Sequence, residues 1–92
     1  MRKLAPHIFE PETGEEFEIW IDKWPEGFVI NRISENNIRI HYGKCGHFKG
    51  TVGMDLVANR KILSRDDRTL RGWWAEQGEQ PPKPCPSCKT DA

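Results

Sequence analysis

Two short stretches of the chain place metal-binding side chains at close spacing. The Cys-Pro-Ser-Cys run at 85–88 forms a turn that can point two thiolates at one ion, while backbone N–H groups soften the charge on sulfur. The Cys-Gly-His run at 45–47 offers a thiol and an imidazole around a flexible glycine. Three thiolates and one imidazole suit tetrahedral zinc. The sequence therefore predicts one structural zinc ion, with these ligands: Cys45, His47, Cys85 and Cys88.

Other interpretations of these residues remain open. His41 lies four residues before Cys45 and is the alternative to His47, which we prefer because it sits inside a turn and not within a strand. The three cysteines could also be unliganded, since a lone buried cysteine often acts as a small apolar residue. A redox Cys-Pro-x-Cys motif needs a helix after it to lower the thiol pKa. We expect no such helix in the few residues after Cys88.

The ligand pattern carries a resemblance to known zinc sites. The pairing of Cys45-x-His47 with Cys85-Pro86-x-Cys88 resembles the second zinc site of RING-type fingers and, more loosely, the knuckles of zinc ribbons. The resemblance covers only these two stretches, and the four-cysteine first site of a RING has no counterpart in the sequence. It therefore implies the metal-ligand role alone and gives no support for ubiquitin-ligase activity.

We expect no catalytic residues. The sequence contains no phosphate-binding glycine loop, no G-x-S-x-G elbow and no H-E-x-x-H helix. His41, Asp55 and Asn59 could be imagined as a small nuclease centre, but their spacing matches no metal-finger nuclease pattern. Four protein ligands would also leave zinc without an open position for water or substrate. The sequence therefore predicts a binding protein and not an enzyme.

The elements that must position these residues are short. Residues 17–22 alternate apolar and polar side chains, with Phe17, Ile19 and Ile21 on one side, which predicts a half-buried strand. Residues 27–33 and 38–42 indicate two more strands, joined by a polar turn at 34–37. The sequence thus predicts an α+β fold, a small antiparallel β-meander with one C-terminal helix, closed by one zinc site.

The C-terminal half gives a helix and an extended tail. Ser64 and the acids after it favour a helix start, Leu70 and Trp73 with Trp74 give an apolar side, and Gly78 favours a stop. Residues 48–63 are predicted as one or two short strands. We expect residues 1–92 to form a single zinc-stabilised domain. Within it, residues 1–16 are a loosely structured lead-in, and residues 79–92 are a proline-rich tail that carries Cys85 and Cys88.

Composition and charge exclude several classes of protein. The chain has 92 residues, 36% of them hydrophobic, so we expect a folded domain with a limited core that benefits from a metal. No apolar run approaches a signal peptide or a membrane span, which favours a cytoplasmic protein without a membrane partner. The net charge is zero. It is uneven, however, with seven acids against three bases over 1–28 and seven bases against three acids over 44–71.

The basic segment suggests a partner. Lys61, Arg65, Arg68 and Arg71 are spaced by three or four residues, so they would share one side of the predicted helix. Such a basic helix face can neutralise phosphates and release counterions. The sequence therefore predicts contact with nucleic acid or a nucleoprotein complex, and no small-molecule substrate. Asp67 could instead pair with Arg71, which would leave an ordinary solvated face.

The tryptophans suggest an alternative function. Trp20 would lie opposite Phe17 on its strand, and Trp24 would end that strand. Tryptophan is a favoured anchor in protein interfaces because it buries a large area. Small size, mixed surface charge and the absence of catalytic motifs also suit an inhibitor or adaptor that binds another protein. Phage-encoded anti-defence proteins, including anti-CRISPR proteins, have this general character.

Overall fold

A computed structural model describes residues 1–48 and 59–88, apart from the side chain of His47. Within these ranges the strands and helices follow in this order: β1 (Arg2–Ala5), β2 (Ile8–Glu10), α1 (Gly14–Lys23), β3 (Phe28–Ser34), β4 (Asn37–Tyr42), a 3-10 helix (Gly46–Phe48), β5 (Arg60–Ser64), α2 (Asp67–Glu76) and β6 (Lys83–Pro84). The strands form one open sheet in the order β1-β2-β5-β3-β4-β6. Its pairs are antiparallel except β4 with β6, which is parallel. The α+β class is confirmed.

The two helices cover opposite faces of this sheet. Successive side chains of a strand point to opposite faces. On β3, Val29 packs in a cluster with Phe17 of α1, whereas the next residue, Ile30, packs with Leu70 and Trp74 of α2. We call these the α1 face and the α2 face. Each face therefore has its own apolar cluster, and the sheet lies between them.

The strand predicted over 17–22 is wrong, because these residues belong to α1. Phe17, Trp20 and Ile21 are the buried residues of that helix, at the i, i+3, i+4 spacing of one helical face. Ile19, which the strand pattern placed inside, is 59% exposed. Trp20, placed outside, is 8% exposed. Apolar residues at positions 17, 19, 20 and 21 fit both periods, so alternation alone did not separate strand from helix.

A capping interaction at the start of α1 decides this choice. Thr13 is in extended conformation, and its side chain accepts a hydrogen bond from the backbone N–H of Glu16 at 3.1 Å. The Glu16 carboxylate in turn accepts from the backbone N–H of Glu12 at 2.8 Å. A Thr followed three residues later by Glu is the sequence signature of a helix start, and here the Glu binds the N–H of the residue before the cap. The signature was present in the sequence and would have predicted α1.

The N-terminal segment is also more ordered than a loose lead-in. Strands β1 and β2 form an antiparallel hairpin, and Phe9 of β2 pairs with Leu63 of β5. His7 makes the turn between them with φ of 65°, in the left-handed region. Ile8, only 1% exposed, joins the cluster on the α2 face. The hairpin thus extends the sheet beyond β5 and contributes to the core.

The central hairpin and the second helix agree more closely with the sequence. Strands β3 and β4 pair from Phe28↔Tyr42 to Ser34↔Asn37, as the predicted meander requires. The helix starts at Asp66, whose carboxylate accepts from the N–H of Thr69 at 2.8 Å. Ser64 is not the cap, because it ends β5. Of the predicted strands over 48–63, β5 is present, and residues 49–58 lie outside the described part.

No helix in the described ranges is both long enough and apolar enough to cross a lipid bilayer.

Two glycines give opposite expectations for the stability of this fold. A Cβ at Gly43 would lie 2.6 Å from the backbone oxygen of Trp24, whereas a Cβ at Gly72, inside α2, would meet nothing within 4 Å. We expect Gly43→Ala to lower the free energy of unfolding by about 1–3 kcal/mol, because backbone must shift. Gly72→Ala should raise it by roughly 0.5–1 kcal/mol through helix propensity. Urea denaturation measures both, and equal stability of the two variants would contradict the packing around Gly43.

Candidate metal centre

The parallel pairing of β4 with β6 brings the two halves of the centre together. Ile40 of β4 lies beside Pro84 of β6, and the N–H of Cys85 donates to the carbonyl oxygen of Ile40 at 3.0 Å. Cys85 therefore lies next to His41, which follows Ile40 on β4. The chain then turns after Tyr42, and this turn returns Cys45 to the same place. Residues more than forty positions apart in sequence thus converge at one end of β4.

Four side chains form the centre: His41, Cys45, Cys85 and Cys88. Their ligand atoms all lie within 4.8 Å of one another. The Sγ atoms of Cys45 and Cys85 are 3.7 Å apart, far longer than the roughly 2.05 Å of a disulfide. A tetrahedral zinc ion with Zn–S bonds of about 2.3 Å holds two sulfurs about 3.8 Å apart. The spacing and the donor types therefore fit a single tetrahedral metal ion.

The centre is enclosed by apolar side chains on the α1 face. Cys85 is 1% exposed and His41 is 4% exposed. Cys45 and Cys85 belong to the same core cluster as Phe17 and Phe48, and the imidazole of His41 packs edge-on against Phe48 with ring centroids 4.9 Å apart. Burying ionised thiols in such surroundings is unfavourable unless a cation compensates them. The cluster therefore has the burial and composition of a structural metal site.

Backbone N–H groups favour thiolates in the Cys-Pro-Ser-Cys turn. Burial opposes ionisation of Cys85, but hydrogen bonds from the N–H groups of Cys88 and Ser87 and from the Cys45 thiol lower its pKa from 9.0 to about 7. Burial raises the pKa of Cys88, while the N–H of Tyr42, 3.4 Å from its sulfur, acts in the opposite direction. Such outer hydrogen bonds orient metal ligands and spread the charge on sulfur. Of Cys85 and Cys88, Cys85 is thus the thiol that ionises more readily.

The structure brings together three of the four predicted ligands, and His41 is the histidine beside them. The side chain of His47 lies outside the described residues, so its role as a ligand stays a prediction. His41 was set aside because it lies within a strand. That argument was weak, because strand alternation puts His41 on the face opposite Ile40, and this is the face to which Cys45 returns.

The four predicted cations of the basic helix face are not on one surface. Lys61 is a residue of β5 and only 2% exposed; its ammonium donates to the carbonyl oxygen of Asn59 at 3.2 Å and lies 5.9 Å from the ring centroid of Phe17. The expectation that Lys61 and Arg65 belong to α2 was wrong, because β5 continues to Ser64 and α2 begins only at Asp67. Asp66 and Asp67 also lie among the three remaining arginines.

The three arginines have different environments. The guanidinium of Arg65 lies 3.6 Å from the ring centroid of Trp24, which is half-buried. Arg71 donates through Nε to Asp67 at 2.7 Å, the i, i+4 pairing that was left open in the sequence. Arg68 is exposed. Of the three residues dismissed as a nuclease centre on sequence grounds, His41 and Asn59 line one cavity, and Asp55 lies outside the described residues.

Comparison with known proteins gives no assignment, since no family model, no curated protein and no solved structure matches the chain. The resemblance to RING-type and ribbon-type sites therefore rests on the ligand pattern alone. What the structure adds to that pattern is one cluster of three thiols and an imidazole that could hold a metal ion.

Substitution of each histidine tests whether His41 or His47 is the fourth metal ligand beside the three cysteines. We expect His41→Ala to lower metal affinity by more than the roughly 10–100-fold that outer-shell changes cost, because a ligand atom is lost. His47→Ala should retain the metal, and Cys85→Ser should lose it. Elemental analysis and competition with a chromogenic chelator measure these affinities. Metal retained by His41→Ala and lost by His47→Ala would establish His47, and not His41, as the ligand.

Proposed function

We propose that this protein is a non-enzymatic binding module, that one structural zinc ion closes its fold, and that its partner is a nucleic acid or a nucleoprotein complex. The observation that carries the proposal is the buried cluster of His41, Cys45, Cys85 and Cys88. Zinc is the ion that a set of three thiolates and one imidazole favours. Four protein ligands fill a tetrahedral site, which supports a structural role and leaves no position for substrate.

The position of the cluster supports the structural role. Apart from the cluster, the described part of the C-terminal segment is attached by the two-residue strand β6, by a hydrogen bond from Trp74 Nε1 to the carbonyl oxygen of Gln80 at 2.8 Å, and by the ion pair of Glu79 with Arg32. A metal at the cluster would fix this segment to the end of β4. Apparent binding free energies of structural zinc are about 10–16 kcal/mol in finger peptides. Since domains are stable by roughly 5–15 kcal/mol in total, such a contribution is decisive.

Two arginines support a phosphate-binding surface. Asp66 caps α2, and the hydroxyl and N–H of Thr69 lower the pKa of its carboxyl, so this carboxylate is engaged within the helix start. Asp67 is engaged by Arg71. Arg65 is held over Trp24, an arrangement that fixes the guanidinium plane and leaves its edge for bidentate hydrogen bonds to phosphate. We therefore assign the contact to Arg65 and Arg68, without Lys61.

The structural role of zinc is tested at Cys88. Cys88→Ser should detach the C-terminal segment and lower the melting temperature, because one of four ligands is lost. Ser87→Ala is the matched control, since Ser87 is exposed in the same turn and its backbone N–H is kept. Thermal unfolding with and without chelator, together with hydrogen exchange at the N–H of Cys85, measures both effects. A Cys88→Ser variant that melts like the parent would show that the metal is not structural.

The partner is tested by charge reversal. Arg65→Glu with Arg68→Glu should weaken binding to a single-stranded oligonucleotide and reduce the slope of log K against log salt by about 1.4. Arg2→Glu with Lys3→Glu, on the exposed edge strand β1, makes the same change in charge and should have little effect. Fluorescence anisotropy over a range of salt concentrations gives both quantities. If no oligonucleotide binds, and a protein partner is captured with little dependence on salt, the inhibitor or adaptor alternative is favoured.

A further inference from the structure

A cavity of about 350 Å³ lies directly beside the metal centre on the α1 face. Cys85 and His41 form the wall that it shares with the centre. Its lining also includes the polar side chains of Asn31 and Arg39. Because these two residues are direct register partners on β3 and β4, their side chains lie next to each other on the same face.

Asn31 has an unsatisfied acceptor in this cavity. The residue is 9% exposed, and its side-chain oxygen is buried without a hydrogen-bond partner in the described part of the chain. Buried polar atoms are nearly always hydrogen-bonded, and an unpaired one destabilises the fold. An amide that lines a cavity in this state indicates a ligand that supplies a hydrogen-bond donor.

Arg39 adds an available cation. It is half-buried, and its guanidinium has neither an ion pair nor a side-chain hydrogen bond among residues 1–48 and 59–88. Arg32, on the other face of the sheet, shows the contrast, because it pairs with Glu79 and lies 5.3 Å from the ring centroid of Trp74. A guanidinium left without a carboxylate at a cavity edge suits a phosphate or carboxylate group.

The ligand must satisfy both residues. An isolated carboxylate ion only accepts hydrogen bonds, so it would pair with Arg39 and leave the oxygen of Asn31 unsatisfied. Inorganic phosphate carries P–OH donors but is too small to fill the cavity. A nucleotide has a base edge with both hydrogen-bond donors and acceptors, and an asparagine amide can form a pair of hydrogen bonds with such an edge. The nucleotide also carries a phosphate, which can pair with Arg39. Ile33, Phe48 and Pro86 give the cavity apolar walls for the face of a base. Its volume lies at the lower end of the range for small-ligand sites, so it limits the occupant to one nucleotide.

We infer that this cavity binds one unpaired nucleotide of a single-stranded nucleic acid, with the base edge on Asn31 and a phosphate on Arg39. The inference rests on the proposed function, in which Arg65 and Arg68 contact phosphates of the same nucleic acid. It adds a selective site to that contact, because the amide of Asn31 distinguishes bases and the arginines do not.

The experiment is a titration of the isotope-labelled, metal-bound full chain with AMP, CMP, GMP and UMP, and with ribose 5-phosphate as the ligand without a base. At least one nucleotide should shift the side-chain NMR signals of Asn31 and Arg39. Ribose 5-phosphate should bind about tenfold or more weakly than that nucleotide. Arg39→Gln should weaken binding of that nucleotide by a similar factor. The control Arg2→Gln, at the other edge of the sheet, should leave its binding unchanged.

Three results would overturn the inference. They are an absence of shifts at Asn31 and Arg39 with all four nucleotides, equal binding of ribose 5-phosphate, and unchanged nucleotide affinity in Arg39→Gln. Because Asn31→Ala could disturb folding, Arg39→Gln is the primary variant, and its thermal unfolding is compared with that of the parent.

Failure of the proposed function gives a different pattern of results. If oligonucleotides bind through Arg65 and Arg68 but no nucleotide shifts the NMR signals of Asn31 and Arg39, only the inference fails. If no oligonucleotide binds, the proposed function fails and the inference with it.

Discussion

The attachment of the C-terminal segment to β4 is the contact on which the arrangement of this small domain depends. It combines a backbone hydrogen bond from Cys85 to Ile40, a hydrogen bond from the N–H of Tyr42 to the sulfur of Cys88, and the approach of Cys85 to Cys45. Strand β6 has only two residues, so its backbone hydrogen bonds to β4 hold the segment only weakly by themselves. Three thiols and an imidazole at this junction are the groups with which a small chain can add a metal in place of a larger core.

The two faces of the sheet are chemically different. The α2 face carries the isoleucines of β3, β4 and β5 against Leu70 and Trp74, an apolar arrangement that serves stability. The α1 face carries the four residues that could hold a metal ion and a polar row in which Asn31 lies between Arg39 and Lys61 on the neighbouring strands. Polar groups at this depth are costly unless they have partners. The buried cluster on the α2 face is therefore apolar, whereas the α1 face combines an apolar cluster with these polar groups.

The charged residues act mostly through local geometry and not through a broad field. The chain is neutral overall, and Arg71 pairs within its own helix. Arg65 lies over Trp24, and Arg32 lies near Trp74 while pairing with Glu79. Arginine held against an aromatic ring loses little further freedom when it binds phosphate. A phosphate contact on this protein would therefore depend on a few oriented side chains, and less on long-range attraction.

The sequence by itself determined the local features. Alternating apolar residues and the Asn pair gave the β3–β4 hairpin, the acids near Asp66 with Leu70 and Trp74 gave α2, and the three cysteines identified the metal cluster. These predictions depend on spacing within a few residues, where backbone geometry allows few alternatives.

Tertiary structure alone decided the rest. Residues 17–22 fit both helical and strand periods, and burial against the sheet, with the Thr13 cap, selected the helix. The pairing of β6 with β4 put His41 beside the cysteines, and the length of β5 put Lys61 inside the core. These outcomes depend on strand register between residues far apart in sequence. A shift of one residue in register sends every side chain of a strand to the other face of the sheet. The spacing of residues within one strand does not predict its register with another strand.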